Sequence, residues 1–342
     1  MKRRRCSLAS TQTGWWITDD ASGSLGATLR DDILEEELGD GAVTVEIHHS
    51  ALNYKDALAL TGSTGVVRTT PLIPGIDFAG QVVDSSDPAF TAGEHVVLTG
   101  WGYGETRHGG LGTRAKVEAQ HLVRLPASLS TFEAAALGTA AFTAALAIDA
   151  LEKSGTTPDR APLPIAVTGA GGAVGSWAIV LLAHRGYRVV AVTGRSELEP
   201  YLRSLGAEGI MPRSEILQAT QRPLRAETFS GVVDQAGGPL LASLLSMVAS
   251  NGVAVACGLA GGVELSTTVM PFILRGISLV GINSVTQPPE VRERVWSEFA
   301  KSASSFPFTE IASSIRLTEA LATAPSVLAG ETRGRVVVEV GP

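Results

Sequence analysis

Residues 163–195 read LPIAVTGAGGAVGSWAIVLLAHRGYRVVAVTGR, and this run decides the fold. Ile165 to Thr168 is a short apolar run able to form a buried strand. Tyr187 to Val192 is a second, rich in the β-branched residues that suit a pleated surface. Between them Trp177, Val180, Leu181 and His184 recur at helical spacing from Ser176 to Arg185, and Gly186 stands where a helix stops. The linking loop, Gly169-Ala170-Gly171-Gly172-Ala173-Val174-Gly175, lies where a strand hands over to a helix. Glycines there admit φ > 0 and leave backbone N–H groups bare, so a pyrophosphate can approach the main chain at the positive end of the helix. A glycine-rich run alone signifies only a tight turn. Strand, loop, helix and second strand in one unit of about 30 residues form the context that a dinucleotide fingerprint requires.

The end of the second strand selects the dinucleotide. An NAD site usually places Asp or Glu there to accept from the ribose 2′-OH, whereas a 2′-phosphate is repelled by a carboxylate and calls for an arginine. Here the strand ends Val192-Thr193-Gly194-Arg195, without an acid. Arg195 can stack on adenine and pair the 2′-phosphate, with the Thr193 hydroxyl as a further donor. The alternative is a solvated surface arginine. NADP(H) is the expected cofactor.

Working outward, 342 residues are long for one core, and two domains are expected. Hydrophobic residues at 44% and charged residues at 18% describe an ordinary globular chain, and the net charge of -7 argues against nucleic acid as a partner. Two cysteines, Cys6 and Cys257, far apart and without a CxxC, exclude a disulfide framework and fit a reducing compartment. The basic start, Lys2 to Arg5, is followed by polar residues and not by an apolar h-region, so no signal peptide is expected. The most apolar helix, at 176–185, carries His184 and Arg185, and no membrane partner is expected; the location read from this is the cytoplasm.

Before the crossover unit the pattern is β. Trp15-Trp16-Ile17 opens an edge strand after a frayed start, and Ala42 to His48 alternates apolar and polar in the period of a half-buried strand. Asn53 to Leu60 forms a helical turn, Gly75 to Val83 and Ala92 to Leu98 give strands, and residues 100–112 are too glycine-rich for regular structure. Thr131 to Leu151 then switches to helical period. After the crossover unit, helices at 198–205, 240–248 and 291–300 alternate with strands at 231–234, 252–257 and 279–285, which means a parallel, doubly wound sheet. A last strand, Arg335 to Val340, returns to the β domain. The edge strand at 279–285 can pair across a two-fold axis, so a homodimer is expected.

Five motifs carry a narrower resemblance: Asn53-Tyr54-Lys55-Asp56-Ala57-Leu58, Pro74-Gly75-Ile76-Asp77-Phe78-Ala79-Gly80, Leu98-Thr99-Gly100-Trp101-Gly102, the run 256–262 (ACGLAGG) and the run 267–276 (TTVMPFILRG). With the domain order, they resemble the medium-chain dehydrogenase/reductase superfamily and within it the NADPH-dependent acryloyl-CoA reductase group, a zinc-free branch near the quinone oxidoreductases. The resemblance implies an α/β fold, a Rossmann doubly wound parallel sheet plus a GroES-like β-barrel domain. The GroES-like substrate domain would take residues 1–135 and 286–342, and the Rossmann NADP(H)-binding domain residues 136–285. Where zinc-dependent relatives supply a Cys and a Gly-His-Glu, this chain has Asn53-Tyr54 and Gly75-Ile76-Asp77, so no metal is expected.

The resemblance also implies a site. Gly171, Gly172, Ala173 and Val174 match the pyrophosphate loop, Ala173 standing where relatives usually have glycine. Thr193, Gly194, Arg195 and Arg213 match the 2′-phosphate contacts, and Tyr54 lies near the nicotinamide ribose. Leu259, Ile273 and Ser284 match contacts to the nicotinamide half, with plain core as the alternative for Leu259 and Ile273. The implied reaction is hydride transfer from NADPH to a small-molecule acyl-CoA or enone, with Tyr54 and Asn53 as catalytic candidates orienting ribose or thioester, or else making structural turn bonds. Arg68 would meet the phosphates of CoA. Two alternatives stand beside this: a quinone or general enone reductase, and a non-catalytic NADPH-binding protein.

Overall fold

The computed structural model describes residues 11–63, 65–218 and 222–341. The frayed start, the basic run and Cys6 fall outside the described residues, except for the first residues of the opening strand. Two compact units emerge: Met1–Thr139 with Val285–Ser304 and Ala312–Pro342, and Ala140–Ser284 with Ser305–Ile311.

In chain order, β1 (Gln12–Asp19) and β2 (Leu25–Ile33) pair antiparallel in a sheet of their own. β1 buries Trp15, Trp16 and Ile17, so the strand read at its centre is a packed one. β2 is mostly exposed, and the run Arg30-Asp31-Asp32 breaks any apolar–polar alternation, which is why its sequence carries no strand signal. Next come β3 (Val43–Ala51), α1 (Tyr54–Leu60), β4 (Asp77–Ser85), β5 (His95–Thr99), β6 (Arg114–Val117), β7 (Leu122–Arg124) and α2 (Thr131–Lys153). By length and composition α2, not the helix at 176–185, could cross a membrane, yet 83% of its most apolar stretch is buried, as in a core helix.

The chain continues through β8 (Ile165–Val167), α3 (Ala173–His184), β9 (Val189–Thr193), α4 (Glu199–Ser204), β10 (Gly209–Pro212), α5 (Arg213–Gln218), β11 (Phe229–Asp234), α6 (Gly238–Leu245), β12 (Val248–Ala256), α7 (Met270–Arg275) and β13 (Ser278–Gly281). It ends with α8 (Pro289–Ser302), α9 (Phe308–Ile311), β14 (Ala312–Arg316), α10 (Ala320–Leu328) and β15 (Arg335–Glu339). β13 stops four residues short of the expected end, because Val285 already belongs to the first unit, where its carbonyl accepts from Trp101 N at 3.0 Å.

The first unit is organised on a seven-stranded sheet in the order β14-β15-β3-β4-β5-β7, with β6 also on β3. Only β14 and β15 run parallel; the other pairings are antiparallel. Alternate residues Val43, Val45 and Ile47 of β3 enter a core with Phe78, Val82, Val96, Leu98 and Leu122. The glycine-rich run 100–112 forms no strand, and its backbone presses against the 75–78 segment. A Cβ on Gly109 would stand 2.1 Å from Gly75 O, a distance only glycine avoids. Arg292 of α8, 1% exposed, anchors that run, donating to Thr99 O at 2.6 Å and to Val285 O at 2.8 Å, with its guanidinium 5.0 Å over the Trp101 ring.

The second unit carries a wholly parallel six-stranded sheet, β10-β9-β8-β11-β12-β13. β8 and β11 are buried at every residue, the near-continuous apolar pattern of a sheet covered on both faces. From β8 the chain steps outward to β9 and β10, then returns to β11 on the other side. This reversal between β8 and β11 leaves a crevice at the carboxyl ends of the strands, where open α/β sheets bind ligands. Trp177 of α3 packs edge-on against Phe306 and Phe308 at 5.4 and 5.7 Å, which ties residues 305–311 to this unit.

Candidate functional site

The crevice is built by lashing β8 to β11. Thr168 Oγ1 donates to Asp234 Oδ1 at 2.7 Å, and the other carboxylate oxygen accepts from Gly237 N at 2.7 Å. Burial raises the Asp234 pKa, and these donors work against that rise. The loop then turns through Gly169, whose φ of +53° suits glycine and whose carbonyl accepts from Gly172 N at 2.9 Å. Gly172 is the N-cap of α3, so Ala173, Val174 and Gly175 head the helix with first-turn N–H groups that no helical carbonyl can reach. A Cβ at Gly175 would meet Gly169 O at 2.4 Å, so the helix can start this close to its strand only with glycine there. Ala173 fits as the first helical residue and keeps its N–H.

Two guanidinium groups converge on the end of β9. Arg195 N donates to Thr193 Oγ1 at 3.0 Å, and Arg195 Nη2 approaches Gly171 O at 3.5 Å. β10 pairs Pro212 with Thr193, which delivers Arg213 beside Gly194, where an added Cβ would stand 3.2 Å from its Nη2. Gly171, Thr193, Gly194, Arg195 and Arg213 therefore form one cluster. A helix N-terminus next to paired guanidinium groups is a donor set that fits a pyrophosphate and a 2′-phosphate.

Loop 258–262 folds onto Gly237 and Gly238; Gly261 N donates to Ala236 O at 2.7 Å, and a Cβ on Gly237 would lie 3.2 Å from the Leu259 Cα. Leu259 is thereby brought to the end of β11. Leu259 is 57% and Ile273 71% exposed, so the plain-core alternative for both is excluded. Ile273 lies on α7, and Ser284, half-buried, lies three residues beyond β13.

In the first unit, α1 begins at Tyr54, which is 41% exposed, with Asn53 as its N-cap. Asp56 Oδ2 accepts from Asn53 N and Asn53 Nδ2, both at 2.9 Å, while its Oδ1 accepts from Gly75 N at 3.0 Å and Ile76 N at 2.9 Å. Asn53 Nδ2 also donates to Asp77 Oδ1 at 3.0 Å, and Asn53 Oδ1 accepts from Arg335 Nη1. Arg335 Nη2 pairs Asp77 Oδ2 at 2.6 Å, and its Nε donates to Ala135 O at 3.0 Å; Thr139 N reaches Asp77 Oδ2 at 2.7 Å.

These last bonds bridge a break in α2 at Gly138 (φ 43°, ψ -148°), which the helical pattern of residues 131–151 does not reveal. Both oxygen and nitrogen of the Asn53 amide are thus committed, and the structural alternative weighed for Asn53 is the one its geometry fits. Tyr54 is exposed beside it. Lys55 Nζ pairs Glu105 Oε1 at 2.8 Å, and Glu105 O accepts from Arg68 N at 3.0 Å; Arg68 itself is exposed.

Sequence reading missed Asp56, Asp77 and Arg335. The spacing Asn53-x-x-Asp56 is a capping-box signal that could have found the first; Arg335 joins only through the tertiary fold. Among the described residues no group of three or more His, Cys, Asp or Glu side chains is placed to hold a metal ion.

Burial, followed by the Asp77 charge, pushes the Asp56 pKa up to about 7 from 3.8. A carboxyl whose folded pKa is raised stabilises the fold while protonated, and that stability is lost as pH rises from about 4 to about 7. His121, pushed down to about 4 by burial, has the opposite sign, so the effect is read as a difference. In urea unfolding the advantage of the wild type over Asp56→Asn is expected to shrink between pH 5 and pH 7.5, by at most about 1.4 kcal/mol per pH unit. A constant difference would refute it.

Residues 39–127 match the alcohol dehydrogenase GroES-like domain family and residues 173–301 the zinc-binding dehydrogenase family. The chain is 46% identical over 325 residues to the acrylyl-CoA reductase AcuI of Ruegeria pomeroyi, covering 94% of this chain and 97% of that protein. Among solved structures, Escherichia coli K-12 YhdH with bound NADPH superposes with a TM-score of 0.91 at 44% identity, over 96% of this chain and all (100%) of that one. Bacillus subtilis YhfP with NAD bound superposes with a TM-score of 0.91 at 39% identity, over 97% and 100%.

Proposed function

The chain belongs to the medium-chain dehydrogenase/reductase superfamily, in the acrylyl-CoA reductase group close to the quinone oxidoreductases, and from this membership we propose that it is an NADPH-dependent reductase converting acryloyl-CoA to propanoyl-CoA. The observation that carries the reading is near-full-length identity to an acrylyl-CoA reductase, and the guanidinium pair at the end of β9 supports NADP(H) as the cofactor. Bound NADPH supplies the hydride for the β-carbon of the enoyl thioester.

The protein's part is to bind and orient. Arg195, Arg213 and Thr193 hold the 2′-phosphate, and the first-turn N–H groups of Ala173 and Val174, with Gly171 and Gly172, receive the pyrophosphate. Leu259, Ile273 and Ser284 contact the nicotinamide half. The exposed Tyr54 hydroxyl orients the nicotinamide ribose or thioester and, with solvent, is a source of the α-carbon proton. Asn53 acts as a positioning residue that caps the helix carrying Tyr54. Arg68 meets the CoA phosphates. The bounds expected from sequence, residues 1–135 and 286–342 for substrate and 136–285 for cofactor, are adjusted by the packing, with 136–139 and Val285 going to the substrate unit and 305–311 to the cofactor unit.

Oxidation of NADPH with acryloyl-CoA, compared with a simple quinone, tests this reading. Acryloyl-CoA is expected to turn over faster, and turnover of the quinone alone would overturn it. Tyr54→Phe is expected to lower kcat by about 100-fold; wild-type turnover would remove the phenol from the mechanism.

A cytoplasmic homodimer completes the proposal. β13 is the outer strand of its sheet, and Leu279, Leu274 and Val269 expose apolar surface on it and on the segment leading to it, which a two-fold partner strand would cover. Sedimentation at micromolar concentration is expected to give the dimer mass; monomer alone would contradict it.

A further inference from the structure

Gln235 follows the last residue of β11, on the side of the crevice opposite β8. Its backbone N–H donates to Thr168 Oγ1 at 3.0 Å, which fixes the residue at the mouth of the crevice. Its Nε2 reaches Val233 O at 3.4 Å, and this sets the orientation of the amide. Oε1 is then left buried with no hydrogen-bond partner, against the first glycine of the loop, where a Cβ added to Gly169 would lie 3.4 Å away. Buried acceptors are nearly always satisfied in native proteins, so an orphan at a ligand crevice points to a donor that the ligand brings.

The chemistry narrows which part of the ligand that is. The adenosine side of the crevice is marked by Arg195 and Arg213 at β9 and β10, so the β11 side receives the nicotinamide nucleoside. A pyrophosphate has no hydrogen to offer an amide oxygen, whereas a ribose hydroxyl next to it has one. We propose that Gln235 Oε1 accepts a hydrogen bond from a hydroxyl of the nicotinamide ribose and so helps to fix the nicotinamide half of NADP(H). The inference rests on the dinucleotide reading of the glycine loop and adds to it a residue outside the loop.

Fluorescence titration separates the two halves of the ligand. Gln235→Leu keeps the side-chain bulk without the acceptor and is expected to weaken NADPH binding roughly tenfold, the weight of one hydrogen bond. Binding of 2′,5′-ADP, which lacks the nicotinamide half, is expected to be unchanged. Gln235→Glu retains an acceptor and is expected to lose less. The melting temperature of the Leu variant without ligand is expected to change little, because the unsatisfied Oε1 and the long 3.4 Å bond from Nε2 are lost together, while the shift produced by NADPH shrinks. Undiminished NADPH affinity, or equal weakening of NADPH and 2′,5′-ADP, would overturn the proposal. Failure of the wild type to bind either compound would instead sink the cofactor reading beneath it.

Discussion

Arg335→Met is expected to lower the free energy of unfolding by about 3–5 kcal/mol, the usual result of removing one partner from a buried ion pair. Arg335 is 1% exposed and Asp77 likewise 1%. Without the guanidinium, the buried Asp77 carboxylate loses its ion-pair partner and keeps only Asn53 Nδ2 and Thr139 N as donors, and Asn53 Oδ1 and Ala135 O lose theirs. Gly138 would line a void, since a Cβ there would stand 2.2 Å from Arg335 Nη2. Urea unfolding measures the loss, and Asp77→Asn in the Arg335→Met background should recover part of it by removing the stranded charge. A loss under about 1 kcal/mol would mean that the network is not a structural centre.

The second large effect concerns the coenzyme. Arg195→Ala combined with Arg213→Ala is expected to weaken NADPH binding by at least about 100-fold, since each of the two hydrogen bonds to a charged group contributes about 1.5–3 kcal/mol. NADH affinity should change little, because NADH lacks the phosphate that the two guanidinium groups address. Titration of both nucleotides against wild type and variant gives the discrimination ratio. A wild type that takes up NADH as tightly as NADPH, or a variant that loses both alike, would contradict this role.

The crossover unit was legible in sequence because every level agreed: apolar runs, glycine junction and helical period all fall within 163–195, and the structure lays them out as β8, α3 and β9. β10 and β14 were not legible, being short and carrying mixed or polar side chains. The cofactor cluster was readable as far as its residues follow one another along the chain. What joins Arg213 to Gly194 is strand pairing, and what joins Arg335 to Ala135 is a contact across 200 residues, so neither had a local signal. Asn53 was recognised, but its partners were not. An amide read alone looks like a free donor, whereas in place it is held by Asp56, Asp77 and Arg335.

The strand that carries Arg335 lies far along the chain from the segment it braces. During synthesis the segment bearing Tyr54 must therefore wait, its cap unbraced and its sheet missing β15, until residues 335–339 have emerged. The second unit needs only the short 305–311 segment beyond its own run, so all the strands of its sheet are available for pairing before β15 emerges.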